Sequence, residues 1–137
     1  SHQWLKLALR YAFTQTDREV LQAGWLEGST AVVLAVTRRY LMVANAGDSR
    51  AVLSEDGRTV PLSVDHKPSR RDELARIEAL GGHVFHLGVP RVSGVLAVSR
   101  AIGDLQLKKW VIPDPEVRTL RRTAGQRFVL LATDGLW

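Results

Sequence analysis

A chain of 137 residues, 45% hydrophobic and 24% charged, is long enough for one domain core and short for two, and its 11 Gly and 5 Pro match an ordinary globular composition, which excludes disorder and fibrous repeats. It has no cysteine, which excludes disulfides and thiolate metal sites, so any metal must be held by oxygen or imidazole. No apolar run approaches the roughly 20 residues that cross a bilayer, no signal-peptide pattern opens the chain, and the net charge of +5 is scattered along the sequence in pairs such as Arg38-Arg39, Arg70-Arg71 and Arg121-Arg122, which argues against a nucleic-acid binder.

From Trp4 to about Ala23 the apolar residues Leu5, Leu9, Ala12, Phe13, Val20 and Leu21 recur at mostly helical intervals, and Gly24 supplies a stop. This predicts one helix, with Thr14 to Asp17 the place for a break. Thr30 to Val36 and Tyr40 to Ala46 suit β-strands joined by a hairpin over Arg38-Arg39. The turn Ala46 to Arg50 leads into a third strand, Arg50 to Leu53, and Asp56-Gly57 tolerates the positive φ of a hairpin loop. An antiparallel meander is the expectation for this stretch.

Pro68 and Ser69 announce a second helix: Ser69 is the expected cap, Asp72 and Glu73 suit its positive end, and Gly81-Gly82 ends it. Leu74, Ile77 and Leu80 form its expected apolar stripe. His83 to His86 and Val95 to Val98 have the length of short strands, and Pro113 and Pro115 mark a loop. Phe128 to Thr133 has the length and composition of a buried strand that delivers Asp134-Gly135 at its C-terminal end. No repeat, low-complexity tract or linker divides the chain, so residues 1–137 are expected to form one unit.

Neither a serine nucleophile with a neighbouring His nor a phosphate-cradling glycine loop is legible. Asp48 after Gly47, Asp104 after Gly103, and Asp134 before Gly135 stand out instead. Glycine beside a carboxylate lets the backbone turn sharply and an ion approach closely, and carboxylates at strand ends are the hard donors that Mg²⁺ or Mn²⁺ prefer. For Asp48 and Asp104 taken alone an Asx-type turn is the commoner explanation, and residue type alone leaves His66 as a hydrogen-bonded loop histidine. Asp134, ending a strand, needs a partner in either case. His83 and His86 fit no metal spacing and read as structural.

In chain order the segments AFTQTD (Ala12 to Asp17), GSTAVV (Gly28 to Val33), VANAGDSRAVL (Val43 to Leu53), LSVDHKPSRRDELARIEALGG (Leu62 to Gly82), RVSGVLAVSRAIGD (Arg91 to Asp104), PDPEV (Pro113 to Val117) and LLATDGLW (Leu130 to Trp137) resemble the type 2C metal-dependent serine/threonine protein phosphatases. The resemblance implies an α+β fold, an α-β-β-α sandwich of two antiparallel sheets flanked by helices, incomplete at both ends. It implies hydrolysis of phosphoserine and phosphothreonine in phosphoprotein substrates by a metal-activated water, with Mg²⁺ or Mn²⁺ as cofactor. It implies that Asp134 ligates a metal of the binuclear pair, that Asp48 contributes to a further site beside it, and that His66 and Asp104 support or orient. The family's Asp-Gly-His-Gly-Gly motif, its N-terminal acidic ligands and its phosphate-binding Arg find no match here, and neither do the ligands that follow the Trp of DGLW.

On that basis the expectation is a partial phosphatase domain, inactive alone, the alternative being a truncated, catalytically dead relative that binds phosphoproteins. A chain that begins at Ser1 and stops at Trp137 straight after a strand is expected to be a piece of a longer one. Further expectations are a monomer in the cytoplasm or nucleus, with neither nucleic acid nor membrane as partner.

Overall fold

The computed structural model describes residues His2 to Trp137. Two helices, α1 (His2–Gln22) and α2 (Arg71–Ala79), accompany ten strands: β1 (Gly28–Ser29), β2 (Ala31–Val36), β3 (Tyr40–Ala46), β4 (Arg50–Glu55), β5 (Arg58–Pro61), β6 (Val84–Leu87), β7 (Val89–Val92), β8 (Ile102–Gly103), β9 (Glu116–Arg121) and β10 (Gln126–Ala132). Two antiparallel sheets of three strands each, ordered β2-β3-β9 and β10-β4-β5, carry the architecture. The pairs β1-β8 and β6-β7 complete it. The fold class is α+β, as the sequence implies.

Period-two alternation along β3 explains the layering. Leu41 and Val43 point into a core shared with Ala51 and Leu53 of β4 and with Leu62, which joins the two sheets. Ala44 and Ala46 face the other way, where Phe13 of α1 and Ile102 of β8 cover them. Strand β3 is therefore buried on both faces from Leu41 to Ala46, with Asn45 the polar residue among them.

Helix α1 is one helix, as its periodicity predicts, and runs unbroken through Thr14. The Thr14 hydroxyl donates back to the carbonyls of Arg10 and Tyr11 (3.2 and 3.0 Å), which satisfies it within the helix. Phe13 and Asp17, one turn apart, are the two buried residues of α1.

The meander expectation fails at one point. Strands β2-β3 and β4-β5 are hairpins, with Asp56 and Gly57 both at positive φ (48° and 74°) in the second. Strands β3 and β4, however, lie in different sheets. The chain crosses between the sheets at Gly47, whose φ of 115° and closeness to Thr30, 2.4 Å from where a Cβ would stand, admit only glycine.

Helix α2 starts later than Ser69 implies. Arg70 occupies the cap position without a side-chain cap, and its guanidinium grips Asp72 instead (2.7 and 2.8 Å). The buried face of α2 is Glu73 and Ile77, and Leu80 is exposed, so the stripe inferred from the apolar residues is displaced by a buried carboxylate. Gly81 at φ 77° closes the helix, with the Gly82 N–H donating to the Ile77 carbonyl (2.9 Å).

Val95 to Val98 forms only an isolated bridge, Leu96 to Val92, and β6 pairs with β7. Strand β10 pairs with β4 alone, at a sheet edge, with Phe128, Leu130 and Leu131 exposed rather than buried.

Candidate metal centre

Asp48 sits in the corner between the two sheets, and that corner is built from both sides. His66 is fully buried, its Nδ1 accepts the Gly47 N–H (3.0 Å), and its own N–H donates to the Gly47 carbonyl (3.0 Å). The Asn45 amide donates to the same carbonyl (3.1 Å), and the Thr30 and Ser49 hydroxyls share a hydrogen bond of 2.8 Å. Asp48 itself is mostly buried, and its carboxylate is paired with Lys67 at 2.5 Å.

Asp134 is exposed, in the turn that follows β10. Antiparallel register opposes Ala132 to Arg50. Asp48 precedes Arg50, and Asp134 follows Ala132, by two residues, so both lie just beyond the same end of the β4-β10 pair. The turn folds back on itself: the Trp137 indole N–H donates to the Ala132 carbonyl (3.0 Å), and the Trp137 ring lies 5.5 Å from the Arg50 guanidinium. Arg50 is held by a two-pronged pair with Asp65 (3.1 and 2.9 Å).

Asp104 lies elsewhere. It adopts a left-handed conformation (φ 55°), and its carboxylate packs on Gly28, where a Cβ would come within 2.1 Å of Oδ2. Burial pushes its carboxyl up from the ordinary value, Lys108 opposes and Asp17 reinforces. Beside it, Asp17 of α1 accepts the Gly103 N–H (2.8 Å) and pairs with Lys108 (2.7 Å). These contacts fasten β8 to α1, and they run to Asp17, Gly28 and Lys108 rather than to Asp48 or Asp134. His83 and His86 are outside both groups, on and beside β6.

Among the described residues no group of three or more acidic or imidazole side chains is assembled for a metal. The oxygen chemistry of Asp48 and Asp134 suits a hard divalent cation, as a partial donor set. Sequence reasoning missed Lys67, Arg50 and Asp65. Lys67 follows His66 directly, but its partner is 19 residues away and only the corner brings the two together.

His66 is held neutral. Burial lowers its pKa to about 4, the Arg100 charge pushes the same way, and Glu116, with its carboxylate 3.5 Å from Nε2, opposes. Because the folded value is below that of the unfolded chain, the stability tied to neutral His66 is fully present above pH 6.5. It is lost as the pH falls from 6.5 towards about 4. Urea titrations across that window are expected to show a loss of about 3 kcal/mol that His66→Gln reduces.

The chain matches the family model described as "Protein phosphatase 2C" over residues 2–137. It is 51% identical over 138 residues to "Probable protein phosphatase 2C 8" of Oryza sativa subsp. japonica, covering 96% of this chain and 34% of that protein. It is 58% identical over 110 residues to "Protein phosphatase 2C 37" of Arabidopsis thaliana, covering 80% and 28%. Among solved structures, the "serine-threonine phosphatase 2C from Toxoplasma gondii" superposes with a TM-score of 0.89 at 30% identity, covering 98% of this chain and 52% of that one. The chain spans about a third of the length of the curated relatives it matches.

Proposed function

Because the chain belongs to the protein phosphatase 2C family, we propose that it forms part of the catalytic domain of a metal-dependent serine/threonine phosphatase acting on phosphoproteins, with Asp48 and Asp134 as donors to Mg²⁺ or Mn²⁺. The observation that supports this reading is that Asp48 and Asp134 each stand two residues beyond the paired ends Arg50 and Ala132 of β4-β10.

Divalent cations held there would make a water acidic enough to lose its proton and attack phosphorus, and would offset charge on the phosphoryl oxygens. The chain's own residues prepare the place for them. Lys67 holds the Asp48 carboxylate in one orientation. His66 is a positioning residue: both of its bonds to Gly47 fix the turn from which Asp48 projects. Arg50 supports the Asp134 turn through the Trp137 ring. Asp104 supports from a distance, by packing on Gly28 where β1 and β8 meet.

Two carboxylates leave most of an octahedral shell to other donors. Purified alone, the 137-residue chain is expected to show no Mn²⁺-stimulated hydrolysis of p-nitrophenyl phosphate. Metal-stimulated turnover that Asp134→Asn abolishes would overturn the view that this chain carries only part of the site.

A further inference from the structure

The arginine pairs of the sequence meet different fates in the fold. Arg70 is enclosed by Asp72, Glu73 and Glu116. Arg38-Arg39 and Arg121-Arg122 are brought together instead. Tyr40 pairs with Arg121 in the β3-β9 register, the Arg122 N–H donates to the Arg39 carbonyl (2.8 Å), and the Arg122 guanidinium donates to the Thr37 carbonyl (3.0 Å).

Two more arginines join them. Arg127 lines the same open end of the sandwich as Arg122. The Asp56 N–H donates to the Gly125 carbonyl (3.0 Å), which sets the β4-β5 turn, with Arg58, against the β9-β10 connection. All six arginines are exposed. Against them stand Glu55, whose carboxylate accepts from Thr123 and Gln126, and Asp56, which packs on Gly125. Among the described residues none of the six lies within ion-pair distance of a carboxylate, whereas Arg50, Arg70, Arg76 and Arg100 all do.

Unpaired guanidiniums at one tip raise a local positive potential, and their planar forks match carboxylate and phosphate oxygens. Beside Arg38 and Arg39 a groove of about 400 Å³ is lined by His2, Trp4, Tyr40 and Met42, with Trp4 70% exposed. That is room for an apolar side chain next to an anionic one. The tip lies at the opposite end of β3 from Gly47, about 20 Å away along seven strand residues.

We propose that this arginine-rich end is a docking surface for an acidic, phosphoserine-bearing peptide segment of the protein substrate, remote from the carboxylates that serve catalysis. The identity of the partner rests on the phosphatase reading. Charge complementarity selects a polyanion, and the aromatic groove beside it favours a peptide, which offers apolar side chains between its acids, over a phosphate backbone or a lipid surface.

The test is fluorescence anisotropy of a labelled peptide in which glutamate and phosphoserine are interspersed with leucine, titrated with the full chain. Among the described residues the side chains of Arg38, Arg39 and Arg121 make no hydrogen bond, so R38Q/R39Q/R121Q is expected to remove charge and leave the fold intact. Affinity is expected to fall by about tenfold in that variant, to weaken with salt in the wild type, and to be unchanged in R71Q, an exposed arginine on α2. Equal binding by the wild type and the triple variant would overturn the proposal. So would tighter binding of single-stranded DNA or phosphatidylserine vesicles than of the peptide at the same ionic strength. Binding is read without turnover, so docking by the complete catalytic domain with no Mn²⁺-dependent hydrolysis by that same domain would sink the phosphatase reading alone, and hydrolysis by it without docking would sink only this one.

Discussion

Glu73→Ala is expected to destabilise the fold by about 3–5 kcal/mol, measured by urea unfolding at neutral pH. The carboxylate is 1% exposed and accepts from the Ser99 hydroxyl (2.7 Å), Arg100 (2.7 Å) and Arg76 (2.7 Å). Truncation would leave those guanidiniums without their shared counter-charge in a place water reaches poorly. Burial alone would raise the Glu73 carboxyl, but the hydrogen bonds from Arg100, Ser99 and Arg76 outweigh it and bring the value down to about 2. The folded value is therefore below the ordinary 4.5, so the stabilisation is present above that pH and is lost as pH falls from 4.5 towards about 2. A cost under about 1 kcal/mol would mean the arginines are satisfied by solvent.

This network also marks the limit of what the residues disclose in order. The run Tyr40 to Ala46 is legible as a strand because Leu41 to Ala46 are buried between layers, and Asp56-Gly57 is legible as a hairpin turn because both residues adopt positive φ. The α2 stripe is not, because Glu73 is charged and its burial is made tolerable by Arg76, one turn on in α2, and by Ser99 and Arg100, brought in from later in the chain. Strand β9, Glu116 to Arg121, escapes notice because its polar residues alternate with Val117 and Leu120 straight after a proline-marked loop. Phe128 to Thr133 misleads in the opposite sense: its apolar run reads as buried, yet β10 has one neighbour, β4, and its outer side chains face solvent. At the site, Asp48 and Asp134 are visible as carboxylates beside glycines at strand ends. What ties the Asp48 corner to His66, and Asp48 to Lys67, spans 19 residues and follows only from the crossing between sheets. The arginines show the same thing in reverse, scattered in sequence and gathered in space.

Asp134→Asn, in the complete catalytic domain, is expected to reduce Mn²⁺-dependent hydrolysis by about 100-fold or more, since even residues that only support metal ligands cost about 10- to 100-fold when replaced. The substitution exchanges a charged oxygen donor for a neutral amide of the same size. Asp134 is exposed and accepts no hydrogen bond from the described side chains, so the stability should move by no more than about 0.5 kcal/mol. Loss of activity would then report on the cation and not on folding. Asp48→Asn, which also releases Lys67, should weaken the metal dependence in the same direction.

The most direct check is a Mn²⁺ titration of p-nitrophenyl phosphate hydrolysis by that domain and by its Asp134→Asn variant at equal stability. The two-carboxylate account predicts that the variant needs far more Mn²⁺ and does not regain the wild-type rate at saturation. Superimposable titration curves would contradict it.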